Sequence, residues 1–511
     1  METILSQTLS RVKESINYRR SPINSMPVEI FELIFRYAIR WRSGGLRSTG
    51  FEAPNHTQLM NDRWRIGQVC RRWRAVSTSI PALWTTVSES RSIQLFLHRS
   101  GDMPLDVLVE DRTPHGASLG SYAHRIRDLF IKVGDPISIL PRYDLARLEG
   151  LTLVGRTYFP QFRRIVRDCV LPIVPPNLPS LRVLTLREVQ WFPGVPYKCL
   201  THLAINNSRM HTLGALLTVL KQCTSLERLV LVNVDYALLE DTPSNDVLLP
   251  SLRLFTLGIT DRGLRFPQMI LRYLILPPTI TMRISGTAGV IEDLSKLDPF
   301  PVLPFTATSS ELSIDSGISS ITLFLSSPAP DTPSLRLHFY PKSYPQAISV
   351  LSALISFSSL ERITYRTSHF PEHGDFVLSL LGEATRHDMP RLCALRLVDE
   401  HSLWPHAKAF ARAARRTLSE HPRFVLQELD VCSPHAKFLA LLDLPACGGG
   451  LERAAFHCMA PAGALDVEAE KKIAEQVTEQ VPYLKLHGLD EPLPRLALPG
   501  IDGLEDDYGF Y

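Results

Sequence analysis

Five side chains that could bind a metal ion lie near the C-terminal end of the chain: Cys432, His435, Cys447, His457 and Cys458. Thiolate and imidazole groups hold structural zinc, which takes four of them in a tetrahedron. Regular zinc sites supply their ligands in close pairs, and no CxxC pair occurs in this sequence. Cys432 and Cys458 also fall at or just after predicted strand positions. We therefore expect structural side chains here and no metal site.

Motifs for phosphate binding and for hydrolysis are also missing from the sequence. It contains no GxGxxG, no GxxxxGKS/T, no HExxH and no GxSxG. Gly448–Gly450 precede the segment LERAAF, where a glycine triplet indicates a turn rather than a phosphate cradle. With no nucleophile, metal or cofactor arrangement, the sequence predicts a protein that is not an enzyme and carries no cofactor.

The charged residues are unevenly spread along the 511 residues. Residues 1–100 hold 15 Lys and Arg against 7 Asp and Glu, a formal charge of +8, whereas the remainder holds 40 against 45. A basic N-terminal part on a slightly acidic body indicates an acidic partner, and we expect no nucleic acid. Arg71, Arg72 and Arg74 flank Trp73, which fits the solvated face of a helix better than a phosphate-binding stripe.

The cysteines indicate a reducing compartment. All 8 lie far apart in the sequence, as reduced thiols of a cytosolic or nuclear protein do. The N-terminal residues interrupt any apolar run with charges, so we expect no export signal. The charge-free stretch 343–360 contains six serines and Pro345, which argues against a membrane span. An amphipathic helix after Pro345 explains this stretch better.

Helical patterns dominate the region after residues 1–21, a segment that we expect to be helical or flexible. Pro27 precedes VEIFELIFRYAIRW, whose apolar residues recur at helical spacing, and proline suits the first turn of a helix. Residues 42–62 contain glycines and a proline that predict a loop or insertion. A second helix is predicted over WRIGQVCRRWRAVSTS, and Pro81 opens a short third element, PALWTTV. The sequence therefore predicts a small all-α head at residues 22–90.

Three runs in this head, MPVEIFELIF, GQVCRRWRAVS and IPALWTTV, resemble the F-box motif in their order and residue types. The Gly-Gln-Val-Cys-Arg-x-Trp pattern at residues 67–73 is similar to the variant common in mushroom-forming (basidiomycete) fungi. Met26 stands where the family usually has leucine, and the insertion at 42–62 is longer than the family's usual gap. The resemblance implies docking on a Skp-type adaptor, which is acidic in this family, and through it on a cullin ubiquitin ligase.

The resemblance also implies which side chains would form or support the adaptor-binding surface. By motif position they are Met26, Pro27, Ile30, Ile34, Phe35, Val69, Cys70, Trp73, Leu83 and Trp84. For each of them, notably Ile34 and Trp73, a place in the internal core is the alternative.

A pattern of the form Leu-x-x-Leu-x-Leu recurs after residue 100, and its last three positions alternate like a strand with one buried face. The clear copies end on Leu151/Leu153, Leu184/Leu186, Leu203/Ile205, Leu229/Leu231, Phe255/Leu257, Ile363/Tyr365, Leu395/Leu397 and Leu429/Val431, and weaker copies end on Leu129/Ile131, Ile321/Leu323 and Ala454/Phe456. Because one such unit cannot bury its apolar edge alone, the units are expected to stack. The sequence predicts an α/β fold in which residues 104–487 form a curved leucine-rich-repeat-like solenoid with a parallel sheet on its concave face. This again resembles the F-box and leucine-rich-repeat proteins of fungi.

Other segments punctuate this array. Helices are predicted over TLGALLTVLKQC and VLSALISF, between copies of the pattern. Some copies of the pattern are preceded by an opener, the sequence Leu-Pro-Ser-Leu or Thr-Pro-Ser-Leu, at 178–181, 249–252 and 332–335. Its proline is expected to end the preceding segment and to set the direction of the next strand. Residues 285–320 break the period and are expected to be a loop, a distorted repeat or a seam between two halves. Residues 488–511 are expected to form an acidic and aromatic tail.

Side chains beside the buried leucines would line the inner face of the solenoid and bind a target. They are Thr185, Arg187, Asn206, Arg228, Arg362, Arg366, Arg396, Glu428 and Asp430. For each of them a solvated face without a ligand is the alternative. We expect a non-catalytic substrate receptor of a ubiquitin ligase, with the head on the adaptor and the array on a protein target. A binding scaffold without ubiquitination, and a receptor that holds a small molecule beneath its target, are the alternatives.

Overall fold

A computed structural model describes the chain as a mixed α/β fold with a large, mainly parallel sheet and few helices. The predicted fold class is confirmed at this level. The residues described are 2–20, 22–43, 63–88, 93–110, 120–132, 145–155, 178–189, 197–238, 246–259, 265–287, 309–316, 321–326, 334–340, 359–367, 391–399, 427–433, 453–458 and 484–487, together with Arg412 and Arg415.

These residues divide into two compact units. The first lies within Met1–His211 and Thr218–Ser225, and the second within Thr212–Leu217 and Leu226–Pro499. The predicted head and the first strands of the predicted array thus belong to one unit.

The helices of the first unit belong to its N-terminal part. They are α1 Glu2–Arg20, α2 Val28–Ser43, α3 Arg71–Ser79 and α4 Ile93–Arg99, with a further helical segment at 63–68 and short 3-10 turns at Pro22–Ser25, Pro81–Trp84 and Gly120–Arg125. The helix predicted after Pro27 is confirmed as α2. Residues 44–62, most of the predicted insertion, lie outside the described residues.

The second predicted helix is interrupted, which corrects the prediction of one continuous helix. Residues 63–68 and α3 are separate because Cys70 is extended, with φ −158° and ψ 173°. Its Sγ accepts a hydrogen bond from the Trp73 amide at 3.4 Å, as the N-cap of α3. The apolar periodicity runs through this break, so periodicity alone did not reveal it.

The sheet of the first unit consists of parallel strands that pair in chain order. They are β1 Thr86–Ser88, β2 Leu105–Glu110, β3 Ile126–Lys132, β4 Gly150–Val154, β5 Val183–Arg187 and β6 His202–Asn206. One row of apolar side chains crosses all six strands in register, from Val87 through Val107 and Leu129 to Leu203. These side chains are buried, so the row forms the core of this unit. Strand β1 lies inside the region predicted as an all-α head, whose closing residues therefore begin the sheet.

The strands start in a recurring way. Where the Leu-Pro-Ser-Leu openers are described, the last leucine donates its amide to the carbonyl of the first, from Leu181 to Leu178 and from Leu252 to Leu249, at 3.2 Å. Two successive amides then donate to the carbonyl of the residue directly before the neighbouring strand. Arg182 and Val183 donate in this way to Glu149, which precedes β4. Proline has no amide hydrogen, and the hydrogen bonds of this turn need none at the proline position.

The second unit contains more strands than the first. They are β8 Arg228–Val232, β11 Leu254–Ile259, β13 Thr281–Thr287, β14 Glu311–Ser316, β15 Ile321–Ser326, β16 Ser334–Tyr340, β17 Arg362–Thr367, β18 Ala394–Asp399, β19 Glu428–Ser433, β20 Arg453–Cys458 and β21 Leu484–His487. The clear copies of the predicted pattern are confirmed as strands β4, β5, β6, β8, β11, β17, β18 and β19.

The chain order reverses in the middle of the strands of the second unit. Strand β13 pairs with β16, β16 with β15, β15 with β14, and β14 with β17. The β15 strand is antiparallel to both of its neighbours, whereas the other pairs are parallel. The expectation of a repeat at Ile321/Leu323 is therefore wrong, because this pair belongs to an antiparallel meander. The period breaks at 285–320 because this meander interrupts the parallel order.

The remaining elements are short. They are β7 Arg209–Thr212, α5 Leu213–Gln222, β9 Asp235–Leu238, β10 Val247–Leu248, α6 Arg265–Tyr273 and β12 Leu274–Ile275. The helix predicted over TLGALLTVLKQC is confirmed as α5. The helices predicted over VLSALISF and after Pro345, and the tail at 488–511, lie outside the described residues. No helix within the described part of the chain is long and apolar enough to cross a membrane.

Candidate functional site

An aromatic cluster joins α2 to α3 in the head. The Phe31 and Phe35 rings lie 5.6 Å apart, and the Trp73 ring lies 5.7 Å and 5.1 Å from them. Both phenylalanines are buried, and Trp73 is half-buried. Arg72 holds α3 to the start of α2, because its guanidinium lies 5.3 Å from the Phe31 ring and donates to the Met26 carbonyl at 2.7 Å.

A second row of apolar side chains runs along α2 and is exposed. Ile30, Leu33 and Tyr37 are 41%, 62% and 66% exposed, and Ile34 between them is half-buried. Their spacing of three, four and seven residues places them on one side of the helix, turned away from Phe31 and Phe35. We call this row the α2 stripe. Since the opposite face is fixed to Trp73, the stripe is presented on a rigid element.

The structure separates the predicted adaptor-binding residues by their burial. Pro27, Ile30 and Val69 are exposed; Met26, Ile34, Cys70 and Trp73 are half-buried; Phe35, Leu83 and Trp84 are buried. The buried ones support the head from within. Motif matching missed Leu33 and Tyr37, although helical spacing from Ile30 was a signal that could have identified them.

Leu83 and Trp84 belong to the core that connects the head to the sheet. The Trp84 indole donates from Nε1 to the Ser77 carbonyl at 2.8 Å, and its ring packs edge-on against Phe96 of α4 at 5.0 Å. The Arg99 guanidinium covers this indole at 4.3 Å. Trp84 thus links α3, the turn at Pro81–Trp84 and α4.

Buried charges connect the segment 63–68 to the first strands. Arg63 donates from Nη1 to the Thr86 carbonyl at 2.8 Å. Burial lowers the pKa of Arg63 to about 10, and the negative charge of Asp106 offsets part of this decrease. Arg127 donates from Nη2 to Asp106 Oδ1 at 2.8 Å and from Nε to Asp128 Oδ2 at 3.0 Å. Burial raises the pKa of Asp106 to about 6, opposed by Arg127. This charge cluster orients the head on β1 and β2.

The predicted target-binding residues of the first unit lie on strands β5 and β6. Thr185 pairs in register with Ala204, and Arg187 pairs with Asn206. Arg187 is half-buried with its Nε 3.6 Å from Glu188 Oε1. Asn206 is buried, and its Oδ1 has no hydrogen-bond partner among the described residues. The three residues lie on neighbouring strands.

The remaining predicted target-binding residues lie in the second unit, where Arg362 and Glu428 pair with each other. Arg362 reaches across the sheet to Glu311 on β14 and to Glu428 on β19, at 3.3 Å each. Arg396 is in register with Asp430 and donates from Nη2 to Cys432 Sγ at 4.0 Å. The basic residues of β17 and β18 therefore lie beside acidic residues of β14 and β19 that are distant in the sequence.

Two further predicted residues lie elsewhere in this sheet. Arg366 on β17 is in register with Asp315, and Arg228 begins strand β8, which pairs with β11.

The five candidate metal ligands are only partly described. Cys432 and Cys458 lie on β19 and β20, as the strand pattern predicts, whereas His435 and Cys447 are outside the described residues. Burial raises the pKa of the Cys432 thiol, which disfavours the thiolate that a metal requires. Among the residues that the structure describes, no group of three or more His, Cys, Asp or Glu could hold a metal ion.

A comparison with protein-family models finds no match, and a search of curated proteins finds none. The geometry of the α2 stripe and of the sheet faces is therefore what informs the function.

Proposed function

We propose that this chain is an F-box substrate receptor of a Skp/cullin/F-box-type ubiquitin ligase. In this proposal the head binds a Skp-type adaptor, and the sheet, as a curved leucine-rich-repeat-like solenoid, holds a protein target. The chain itself supplies no catalytic group and raises the local concentration of target lysines near the ligase. It acts in the cytoplasm or the nucleus.

The α2 stripe is the observation that carries the proposal. Three large apolar side chains, Ile30, Leu33 and Tyr37, are exposed side by side on one helix face. A contiguous exposed apolar row usually marks an interaction site. Apolar surface of these side chains that a partner buries contributes about 25 cal/mol per Å². An amphipathic helix face of this kind suits docking on a helical partner.

The parallel strands support the second half of the proposal. A stack of parallel strands in register presents one continuous row of side chains per face, and such a surface suits an extended protein ligand. The polar side chains of β17, β18 and β19 lie on one face of this kind.

Co-purification with a Skp-type adaptor tests the proposal. We expect the full-length chain to retain the adaptor, and the triple variant Ile30→Ala, Leu33→Ala, Tyr37→Ala to lose it while remaining folded. Trp84 is unsuitable for this purpose because its buried side chain supports the head. The matched control is Leu5→Ala, Leu9→Ala, Val12→Ala, which removes three exposed apolar side chains from α1.

The adaptor proposal is wrong if wild type does not retain the adaptor, or if both triple variants retain it equally. A cullin that co-purifies with the adaptor supports the ligase over a scaffold without ubiquitination. An adaptor complex that recruits no cullin supports the scaffold instead.

A further inference from the structure

The first helix of the chain, α1, exposes large apolar side chains along its length. Leu5, Leu9, Val12 and Ile16 are 65%, 56%, 51% and 44% exposed. We call these four residues the α1 stripe. The other α1 side chains that the structure describes are exposed as well. A row of exposed apolar side chains marks an interaction surface, and a helix gains most of its stability from packing such a row.

The α1 stripe has the spacing of a coiled-coil seam. Its residues follow one another at intervals of four, three and four. This is a 3.5-residue repeat with Leu9 and Ile16 at its a positions and Leu5 and Val12 at its d positions. Ile4 is also exposed, but it lies about 100° around the helix from Leu5. A narrow stripe of a and d positions is typical of a helix that pairs with one other helix.

The α1 stripe is complementary to itself when two copies of α1 run in opposite directions. In such a pair an a position of one helix packs against a d position of the other. Leu5 then faces the partner's Ile16, and Leu9 faces the partner's Val12. Every apolar residue of the stripe therefore meets an apolar residue, and the same surface is used by both copies, as a closed two-fold dimer requires.

The charges along α1 favour this antiparallel arrangement over a parallel one. The same repeat continues in the sequence to Glu2 at one end of α1 and to Arg19 at the other. Antiparallel copies bring positions 2 and 19 opposite each other at both ends of the pair, so an acidic residue meets a basic one. Parallel copies would bring two acidic residues together at one end and two basic residues at the other, which is unfavourable.

The residues beside the seam suit a second copy of the same helix. The e and g positions of the repeat hold Ser6, Thr8, Lys13 and Ser15, which are exposed. Charges at these positions set the choice of partner in coiled coils. Because three of these four residues are uncharged, they do not form the charged row that would select an oppositely charged helix or an anionic lipid surface.

We propose that the chain forms an antiparallel homodimer through the α1 stripe. The dimer removes the stripe of both copies from water, which stabilises the pair and the two helices together. This inference goes beyond the proposed function and does not rest on it, because the α2 stripe belongs to a different helix.

Sedimentation velocity of the full-length chain over a range of concentrations tests the dimer. We expect wild type to show an equilibrium between monomer and dimer. The variant Leu9→Glu, Val12→Glu places charges at the centre of the seam, where burial opposes them, and should weaken dimerisation by about a hundredfold or more. The matched control Ile4→Glu, Gln7→Glu adds the same charge at exposed positions away from the stripe and should dimerise as wild type.

Disulfide trapping tests the direction of the two helices. Full-length Leu5→Cys protein and Ile16→Cys protein are mixed in equal amounts and oxidised, and mass spectrometry identifies the linked peptides. The mixture should give mainly the disulfide between positions 5 and 16, because a disulfide needs close Cβ atoms. Links from position 5 to 5 and from 16 to 16 would indicate parallel helices and overturn the antiparallel pairing.

The inference is also overturned if both double variants dimerise equally. It is overturned if wild type remains monomeric, whether or not vesicles of phosphatidylserine bind to α1. Near-ultraviolet circular dichroism of each variant shows whether the remainder of the chain is folded.

The two triple variants of the adaptor test separate this inference from the proposed function. The triple variant in α1 should lose the dimer and retain the adaptor, whereas the triple variant in α2 should retain the dimer and lose the adaptor. A wild-type chain that binds the adaptor as a monomer overturns the α1 pairing alone. A wild-type dimer that does not bind the adaptor overturns the proposed F-box function alone.

Discussion

Asp106 and Asp128 lie in register on the neighbouring parallel strands β2 and β3. The strand register shifts at Leu105/Asp106, and the Arg127 guanidinium bonds both carboxylates, at 2.8 Å and 3.0 Å. Arg63 approaches Asp106 from the helical segment of the head. Two acids and two arginines, of which Arg63 and Asp128 are buried and Asp106 and Arg127 half-buried, thus connect the head to the sheet.

We expect Asp106 to make stability depend on pH. Burial, with a smaller effect from Asp128, raises its pKa to about 6, above the value of about 4 in an unfolded chain. The folded protein therefore binds more protons between these values, and its unfolding free energy falls as the pH rises from about 4 to about 6. Urea unfolding across this window should show a smaller fall in Asp106→Asn. Asp246→Asn, at an exposed position, is the control and should behave as wild type. Equal pH slopes in all three proteins would contradict the assignment.

Gly150 should not tolerate a side chain. A Cβ atom on Gly150 would lie 2.1 Å from Asp128 Oδ1, and Asp128 is held by Arg127. We expect Gly150→Ala to destabilise the protein by about 1–3 kcal/mol in denaturant unfolding. Gly67→Ala is the matched control, because its Cβ would meet only the Ser77 hydroxyl at 3.9 Å. A Gly150→Ala protein as stable as the Gly67→Ala protein would show that the Asp128 carboxylate moves aside easily.

Phe31 and Leu33 should have opposite phenotypes although only Glu32 separates them. Phe31 is fully buried against Phe35 and Trp73, so Phe31→Ala should cost about 3–5 kcal/mol of stability. Leu33 is largely exposed, so Leu33→Ala should change stability by less than about 0.5 kcal/mol while weakening adaptor binding. Thermal unfolding and adaptor co-purification of both variants measure the two effects. A marked loss of stability in Leu33→Ala would place its side chain in the core.

The cysteines should differ in their reactivity. Cys199 is exposed, whereas Cys223 is buried, donates from Sγ to the Tyr197 carbonyl at 3.6 Å, and has its pKa raised to about 11 by burial. Because the thiolate is the reactive form, iodoacetamide should modify Cys199 well before Cys223 in the native protein. Peptide mass spectrometry over time measures both rates, and denatured protein provides the control in which the difference disappears. Equal rates in the native protein would contradict the burial of Cys223.

The alternating pattern was sufficient to predict about half of the described strands. Leu151 and Leu153, Leu229 and Leu231, and their counterparts each lie on a strand with their side chains buried. This prediction succeeds because the alternation of buried and exposed side chains is a local property of a strand with one buried face. The helices of the head followed likewise from local spacing, apart from the break at Cys70, where a side-chain cap decides the start of a helix. The strand at Thr86–Ser88 did not follow from it, because this strand forms by pairing with β2.

Which side of α2 is exposed was not evident from its sequence, because α2 has apolar residues around most of its circumference. Packing of Phe31 and Phe35 on Trp73 selects the buried side and leaves Ile30, Leu33 and Tyr37 outside. This choice depends on the position of α3 relative to α2.

The sequence by itself determined that the chain combines a helical N-terminal part with many short strands, and that it lacks the signature motifs of common enzymes. Only the tertiary structure decided that β16 precedes β14 in the sheet, that Asp106 meets Asp128, and that Arg283 meets Arg336. The physical reason is that strand formation depends on neighbouring residues, whereas strand pairing joins residues that are distant in the chain.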